Sequence, residues 1–146
     1  FANENLPRAS RHGAFSCAPD ATSCIAMSRG LFLIMAKYLI SFPSEAMQVP
    51  ESDLPAVAAA AHAVIDEAKA AGVYIFGGGI DEQVDPVLVA ADGSLSADIY
   101  PNSRLTGGFT VLELPTREDA VAWARKIALA CRCPQELRAF MYDPAS

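Results

Sequence analysis

Two stretches of helical periodicity, each with clear start and stop signals, constrain the fold of this chain more than any other feature. The first follows Ser52 and Asp53, both good N-cap residues, and ends before Gly72, which suits a left-handed C-terminal cap. The second starts at Thr116 and is stopped by Pro134. The residues that recur at helical spacing are Val57, Ala61, Val64, Ile65 and Ala68 in the first, and Ala120, Val121, Ala124, Ile127 and Ala128 in the second. Each helix therefore has one apolar face to bury.

Strand-like segments lie on both sides of these helices. Branched and aromatic residues, or alternation of apolar and polar residues, predict strands at 37–42, 73–76, 86–90, 95–97, 108–114 and 137–142. Asp92-Gly93 is a strong hairpin signal between the third and fourth of these. The alternation in 108–114 leaves open whether Phe109 and Val111 or the opposite set faces the core.

The resulting order of elements, β-α-β-β-β-β-α-β, predicts an α+β fold. Two helices flanking a mainly antiparallel sheet must share one face, because only then are both apolar stripes covered. This is the ferredoxin-like layout, an antiparallel sheet with two helices on one face. The other face then needs a partner, and we expect a homodimer formed through that face or through an edge strand.

Residues 1–34 differ in pattern from the rest of the chain. They mix Pro7, Gly13, Pro19 and Gly30 with scattered Ser and Arg, and show neither a helical nor an alternating period. We predict a poorly structured leader or non-native extension over 1–34, a natural start at Met35, and one domain over 35–146. A secretory signal is not favoured, because the apolar stretch 31–34 is short and no small-residue cleavage site follows it.

Composition disfavours several classes of protein. Apolar residues make up 52% of the 146 residues and charged ones 19%, which supports a packed core and not a disordered chain. The net charge of −6 disfavours nucleic-acid binding, and no apolar run approaches the ~20 residues that span a bilayer. Cys131 and Cys133 have poor zinc spacing and are expected to be free thiols of a cytoplasmic protein. We expect no metal, cofactor, membrane or nucleic-acid partner.

Several segments resemble, in order and spacing, the YCII-related (DGPF-domain) family. The segment 107–113 is similar to the family's Gly-Gly-aromatic strand, and 117–124 to its acidic-Ala-x-x-Trp-Ala helix. Ala71-Gly72-Val73 with the glycines that follow, Asp92-Gly93 and Cys133-Pro134 also match, so the resemblance covers about 35–142. It implies a dimeric α+β barrel-like protein, from a superfamily that includes lactone isomerases, dehalogenases and cofactor-free oxygenases. Most YCII-like proteins have no established activity.

The chain departs from this family in one loop. The family's Asp-Gly-Pro-aromatic signature should fall near Asp98, where this sequence reads Asp98-Ile99-Tyr100-Pro101. Only the Asp and a displaced Pro match. The role of that loop in relatives therefore does not transfer directly to this chain.

His62 is the first candidate for chemistry, because it is the single histidine of 35–146 and histidine ordinarily changes charge near neutral pH. It lies at the border of the first helix's apolar stripe, one turn before Asp66, and a His-Asp pair can orient an imidazole as a general base. The alternative is a boundary histidine with a solvent-exposed neighbour. Some YCII-like proteins carry a His-Asp pair on this helix, but His62 is offset by about one residue, and the family's Asp position nearer the helix end is Ala70 here.

The other candidates are ligand-binding residues in loops. Gly77, Gly78 and Gly79 predict a turn or bulge, and not a phosphate cradle, since a strand and not a helix follows. With Tyr74, Asp81 and Glu82 nearby, this turn is a candidate wall of a cleft. Arg104, the one cation of the 99–106 loop, stands beside Tyr100 and suits a carboxylate-bearing ligand, although an exposed loop arginine is the simpler alternative.

These observations favour a YCII-like cytoplasmic homodimer with a cleft between the sheet and the glycine-rich turn. If the protein is an enzyme, we expect cofactor-free acid/base chemistry on a small cyclic or carboxylated organic molecule. His62 is then the base, Asp66 its orienting partner and Arg104 the anion anchor. The alternative is a non-catalytic ligand-binding or accessory module.

Overall fold

The computed structural model describes residues 35–145. The predicted leader, with Cys17 and Cys24, lies outside the described residues. Six strands and two helices follow in the order β-α-β-β-β-β-α-β, which confirms the predicted sequence of elements. The strands are β1 (Ala36–Phe42), β2 (Tyr74–Gly79), β3 (Leu88–Val89), β4 (Leu95–Ser96), β5 (Gly108–Leu114) and β6 (Glu136–Ala139), and the helices are α1 (Leu54–Ala70) and α2 (Arg117–Cys131).

Four of the strands form one antiparallel sheet in the spatial order β2-β5-β1-β6. β5 lies between β2 and β1, so the β1-α1-β2 unit is split by an inserted strand. This arrangement confirms the α+β class and is consistent with the predicted ferredoxin-like layout. β3 and β4 form a separate two-stranded hairpin at the predicted Asp92-Gly93 turn.

The core lies between one face of this sheet and both helices. In β1 the buried residues are Tyr38 and Ile40, which are separated by one half-buried residue. In β5 the buried residues are Leu112 and Leu114. The same cluster includes Ala68 of α1 and, from α2, Ala120, Ile127 and Cys131. Both helices therefore cover the same face, as predicted. In β5 the even-numbered residues face the helices, and Phe109 and Val111 point to the second face.

The two helices begin in different ways, although both were predicted from N-cap residues. The Thr116 hydroxyl accepts a hydrogen bond from the Asp119 backbone N–H at 3.1 Å, which confirms the predicted cap of α2. Asp53 holds the N-cap position of α1 but makes no side-chain cap bond. Its carboxylate instead accepts from Arg132 Nη1 at 2.6 Å, which connects the start of α1 to the residue after α2.

The predicted turn or bulge at Gly77–Gly79 is wrong. These glycines continue β2 and pair with Thr110, Phe109 and Gly108 of β5, so tertiary pairing overrides glycine's preference for turns. Among the glycines of residues 35–145, those with positive φ are Gly72, Gly93 and Gly107. The register shift of β2 lies before its glycines, between Tyr74 and Phe76.

Two other predicted strands are shorter than expected. Within the predicted strand 86–90, only Leu88–Val89 forms a β-strand. The last strand is Glu136–Ala139, so residues 140–142 lie beyond it, although the Phe140 N–H still donates to the Lys37 carbonyl at 2.9 Å.

Candidate functional site

A cleft of about 720 Å³ lies on the helix-covered side of the sheet, between α1 and the strands β1, β5 and β2. Its walls are mostly apolar, with Val57, Ile65 and Phe42 among them. α1 connects to α2 through the Asp53–Arg132 pair at its start and the Glu67–Lys126 pair near its end. The opposite side of α1 faces β2, and the cleft separates the two elements there.

The structure brings five of the predicted site residues together in this cleft. His62 enters from α1, Tyr74 and Gly77 come from β2, and Gly78 and Gly79 complete the β2 side. Four others lie outside the cleft lining: Asp66, Asp81, Tyr100 and Arg104.

His62 and Asp66 do not form the expected orienting pair. Asp66 Oδ1 lies 3.4 Å from Lys69 Nζ, and its side chain is 75% exposed. The His62 side chain is exposed at the cleft wall and has no hydrogen-bond partner among residues 35–145. Two groups one turn apart on a helix are neighbours, but here the Asp66 carboxylate pairs with Lys69, three residues further along the helix, and not with His62.

Tyr74 and Gly77 shape the β2 side of the cleft. A Cβ placed on Gly77 would meet the Tyr74 hydroxyl oxygen at 3.2 Å, so the phenol ring extends along the strand over this glycine. The Lys69 ammonium lies 5.4 Å from the centroid of the same ring, which is cation–π distance. The Tyr74 hydroxyl has no hydrogen-bond partner within the described part of the chain. The beginning of β2 and the end of α1 therefore form one end of the cleft, with Lys69 and Tyr74 in it.

The opposite end, which we call the cleft mouth, consists of Ser44, Glu82 and Gly107. The Glu82 carboxylate accepts hydrogen bonds from Ser44 Oγ (3.1 Å) and from the Gly107 N–H (3.2 Å). It thereby connects three segments that are distant in sequence. The sequence predicts Glu82 near the cleft wall but does not identify it as a binding residue, because nothing local to Glu82 indicates contacts with residues 38 and 25 positions away.

Lys69 was also missed by sequence reasoning, although a signal for it exists. It follows His62 by seven residues, a spacing that places both on one helix face two turns apart. The residue seven positions after His62 is Lys69, whereas Asp66 is four positions after it.

Cys131 forms part of the cleft wall at the end of α2, close to Ile127 and Gln135. It is buried and free, as is Cys133, which confirms the prediction of free thiols. Burial raises the pKa of the Cys131 thiol, and the charge of Cys133 adds to the shift. Burial also raises the pKa of Cys133, against a smaller opposing effect of its hydrogen bond from Gln135. Neither thiol is therefore an activated nucleophile at neutral pH.

The predicted loop residues have local partners outside the cleft. Arg104 lies 4.0 Å from Glu45, with 80% of its side chain exposed. Tyr100 is exposed, and Asp81 accepts a hydrogen bond from the Gln83 N–H at 3.0 Å in a local turn. Arg104, the predicted anion anchor, therefore lies outside the cleft wall. The cationic side chain in the cleft wall is that of Lys69.

Neither a scan against protein-family models nor a search of curated proteins found a match to this chain. In the described residues no three His, Cys, Asp or Glu side chains are grouped closely enough to hold a metal ion. None of the helices between residues 35 and 145 has the length and apolar content needed to cross a bilayer.

Proposed function

We propose that this chain is a YCII-like, homodimeric protein that binds a small organic molecule in the cleft between α1 and β2. The observation that carries the proposal is the cleft itself: about 720 Å³, mostly apolar, with a few polar side chains converging on it. Pockets of this size and composition are the usual sites of small-molecule binding. The unpartnered His62 imidazole and Tyr74 hydroxyl supply groups that a bound ligand can engage.

The resemblance to the YCII-related family supports the same proposal from the sequence, over about 35–142. The departure at Asp98-Ile99-Tyr100-Pro101 leaves this loop without the family signature, and Tyr100 lies outside the cleft lining. A cytoplasmic location is part of the proposal. It is supported by the free thiols of Cys131 and Cys133, which are typical of reducing compartments.

The second face of the sheet supports the homodimer. Leu39, Val111 and Phe76 are aligned across β1, β5 and β2, because Val111 pairs with each of the other two. Phe76 is 60% exposed, and Leu39 and Val111 are half-buried. An apolar row of this kind on a sheet face fits a second copy of the same face, as in a dimeric α+β barrel.

Cleft occupancy is tested with an uncharged apolar probe, N-phenyl-1-naphthylamine, followed by fluorescence titration. Ala58 lines the cleft, is exposed and is followed by Ala59, which is exposed on α1 outside the cleft lining. We expect Ala58→Trp to weaken probe binding at least tenfold, because the indole occupies the cleft. Ala59→Trp is the matched control and should bind as the unmodified chain does. Equal binding by both variants, or no saturable binding by the unmodified chain, contradicts the proposed function.

The homodimer is tested by sedimentation equilibrium of the chain and of Phe76→Lys. We expect a dimer for the unmodified chain and a shift toward monomer for the variant, because a charge would be buried in the interface. Leu129→Lys is the control, since Leu129 is 81% exposed on α2 and points away from the sheet's second face. A monomer at all concentrations, or equal dissociation in both variants, overturns the dimer proposal.

A second candidate function, acid/base catalysis by His62, is favoured by the position of its imidazole on the cleft wall without a protein partner. A general probe is 5-nitrobenzisoxazole, whose ring opens when a base removes its C–H proton, the N–O bond breaks, and a nitrile and a phenolate form. We expect His62→Ala to remove any ring opening above the buffer rate while N-phenyl-1-naphthylamine still binds. If the unmodified chain opens the ring no faster than buffer does, acid/base catalysis by His62 is eliminated and ligand binding is left as the function.

A further inference from the structure

The cleft carries opposite charges at its two ends. Within residues 35–145, Lys69 and Glu82 are the side chains of permanent charge in its lining. Lys69 lies beside Tyr74 at the start of β2, and Glu82 lies just after β2 ends at Gly79. β2 spans ~16 Å between these points, so the two charges are well separated along the cleft.

The two charged groups differ in how many hydrogen bonds and ion pairs they already form with the protein. Glu82 accepts hydrogen bonds from two different segments, so its carboxylate is already used in holding the cleft mouth. Lys69 has one carboxylate partner, Asp66, at 3.4 Å, and both side chains are more than half exposed. Ion pairs this exposed contribute little to stability, so an anion in the cleft can compete with Asp66 for Lys69.

Three further polar side chains in the lining, those of His62, Tyr74 and Thr110, form no hydrogen bond within residues 35–145. The Tyr74 hydroxyl extends over Gly77 toward the middle of the cleft, and His62 lies on α1 two turns before Lys69. Both are able to donate a hydrogen bond to a ligand oxygen. At the Lys69 end of the cleft the donors available to a ligand are therefore those of Lys69, Tyr74 and His62, and the walls between them and the cleft mouth are mostly apolar.

Resting on the proposed small-molecule binding, we propose that the cleft selects amphipathic organic anions, with one carboxylate or sulfonate on an apolar or aromatic body. The anionic group binds at Lys69 and Tyr74. The apolar body lies along Ile65, Ala61 and Phe42. An anion in the reverse orientation would meet the Glu82 carboxylate, so the two ends of the cleft fix the direction of binding.

Two probes with the same ring system separate the charge preference from simple apolar binding. These are 8-anilinonaphthalene-1-sulfonate, which carries one sulfonate, and uncharged N-phenyl-1-naphthylamine. We expect the sulfonate to bind the unmodified chain at least threefold more tightly, at one site per chain. Lys69→Gln should weaken sulfonate binding about threefold to fivefold and leave binding of the neutral probe unchanged.

Lys126→Gln is the control variant. Lys126 pairs with Glu67 and lies 4.4 Å from the Trp123 ring centroid, and it is outside the cleft lining. It should leave both probes unaffected, whereas added salt should reduce the effect of Lys69→Gln.

The outcomes distinguish this inference from the function on which it rests. If Ala58→Trp blocks both probes but Lys69→Gln affects neither, the cleft binds ligands and the anion preference is wrong. If Ala58→Trp blocks neither probe, the cleft is not the binding site and both proposals fail. If Lys126→Gln weakens sulfonate binding as much as Lys69→Gln does, the effect is due to net charge and the specific role of Lys69 is refuted.

Discussion

Gly107 offers the sharpest test of how the cleft mouth is built. Its backbone has φ +71°, a conformation that residues with a Cβ rarely adopt. A Cβ built there would lie 2.3 Å from the Phe42 carbonyl oxygen, 2.7 Å from the Ser44 nitrogen and 2.8 Å from the Pro43 carbonyl carbon. All three neighbours are backbone atoms, so no side-chain rotation relieves the overlap.

Gly72 provides a matched control because it has the same φ, +71°, but nothing within 4 Å of its Cβ position. Gly72→Ala therefore carries only the strain of the left-handed conformation, about 1 kcal/mol. Gly107→Ala carries the same strain together with a steric overlap that we estimate at about 3 kcal/mol, the upper range for overpacking. The loss of backbone freedom in the unfolded chain is the same for both substitutions and cancels in the comparison.

Urea unfolding followed by circular dichroism measures both variants. We expect Gly107→Ala to lower the free energy of unfolding by about 4 kcal/mol and Gly72→Ala by about 1 kcal/mol. The Gly107 variant should also bind N-phenyl-1-naphthylamine more weakly, because the Gly107 N–H donates to Glu82. Two variants of equal stability within about 0.5 kcal/mol would refute the reasoning, since they would show that the segment around residue 43 is free to move aside.

Three further perturbations test separate parts of the structure. Thr116→Ala should lower the free energy of unfolding by about 1 kcal/mol, while Thr116→Ser, which keeps the cap, should not; equal losses would exclude a capping role. Burial raises the pKa of the Cys131 thiol above its ordinary 9.0, so as pH rises the unfolded chain loses the thiol proton before the folded chain does. The contribution of Cys131 to the free energy of unfolding is therefore complete below about pH 9 and declines above it. Unfolding with a non-thiol reductant should then show a smaller cost of Cys131→Ala at pH 10 than at pH 7.5, and an unchanged cost would contradict the assignment. Glu82→Ala should weaken binding of N-phenyl-1-naphthylamine more than Asp81→Ala does, because only Glu82 holds Ser44 and Gly107; equal binding would show that the cleft mouth does not need this carboxylate.

The elements with strong local signals were predictable from sequence. β5 occupies the predicted 108–114 because alternation and flanking residues specify a half-buried strand without reference to distant segments. α2 begins at its predicted cap because Thr116 and Asp119 interact within one turn. The predicted last strand is too long because pairing with β1 over Tyr38–Ser41 sets its length, and that pairing is not encoded in residues 137–142.

The site was less predictable because its geometry depends on contacts between distant segments. His62 is identified by its chemistry, but the partner of Asp66 is Lys69, because both His62 and Lys69 lie within about one turn of this carboxylate and the sequence does not decide between them. Arg104 was a reasonable anion anchor by residue type, yet the path of the 99–106 loop, which carries no periodic signal, places it beside Glu45 and outside the cleft lining.

The existence of the cleft follows from what β2 lacks on its helix-facing side. Gly77 pairs with Thr110 and Gly79 with Gly108, so both positions point toward α1 and neither carries a side chain. A strand with branched residues at these positions would fill the space between β2 and α1, as Ile40 and Leu112 do deeper in the core. These glycines, which the sequence predicts to form a turn, therefore create the cleft because they lack side chains and not because they adopt positive φ. The same absence gives the Tyr74 ring room to extend along the strand, and this brings its hydroxyl into the cleft that the glycines leave open.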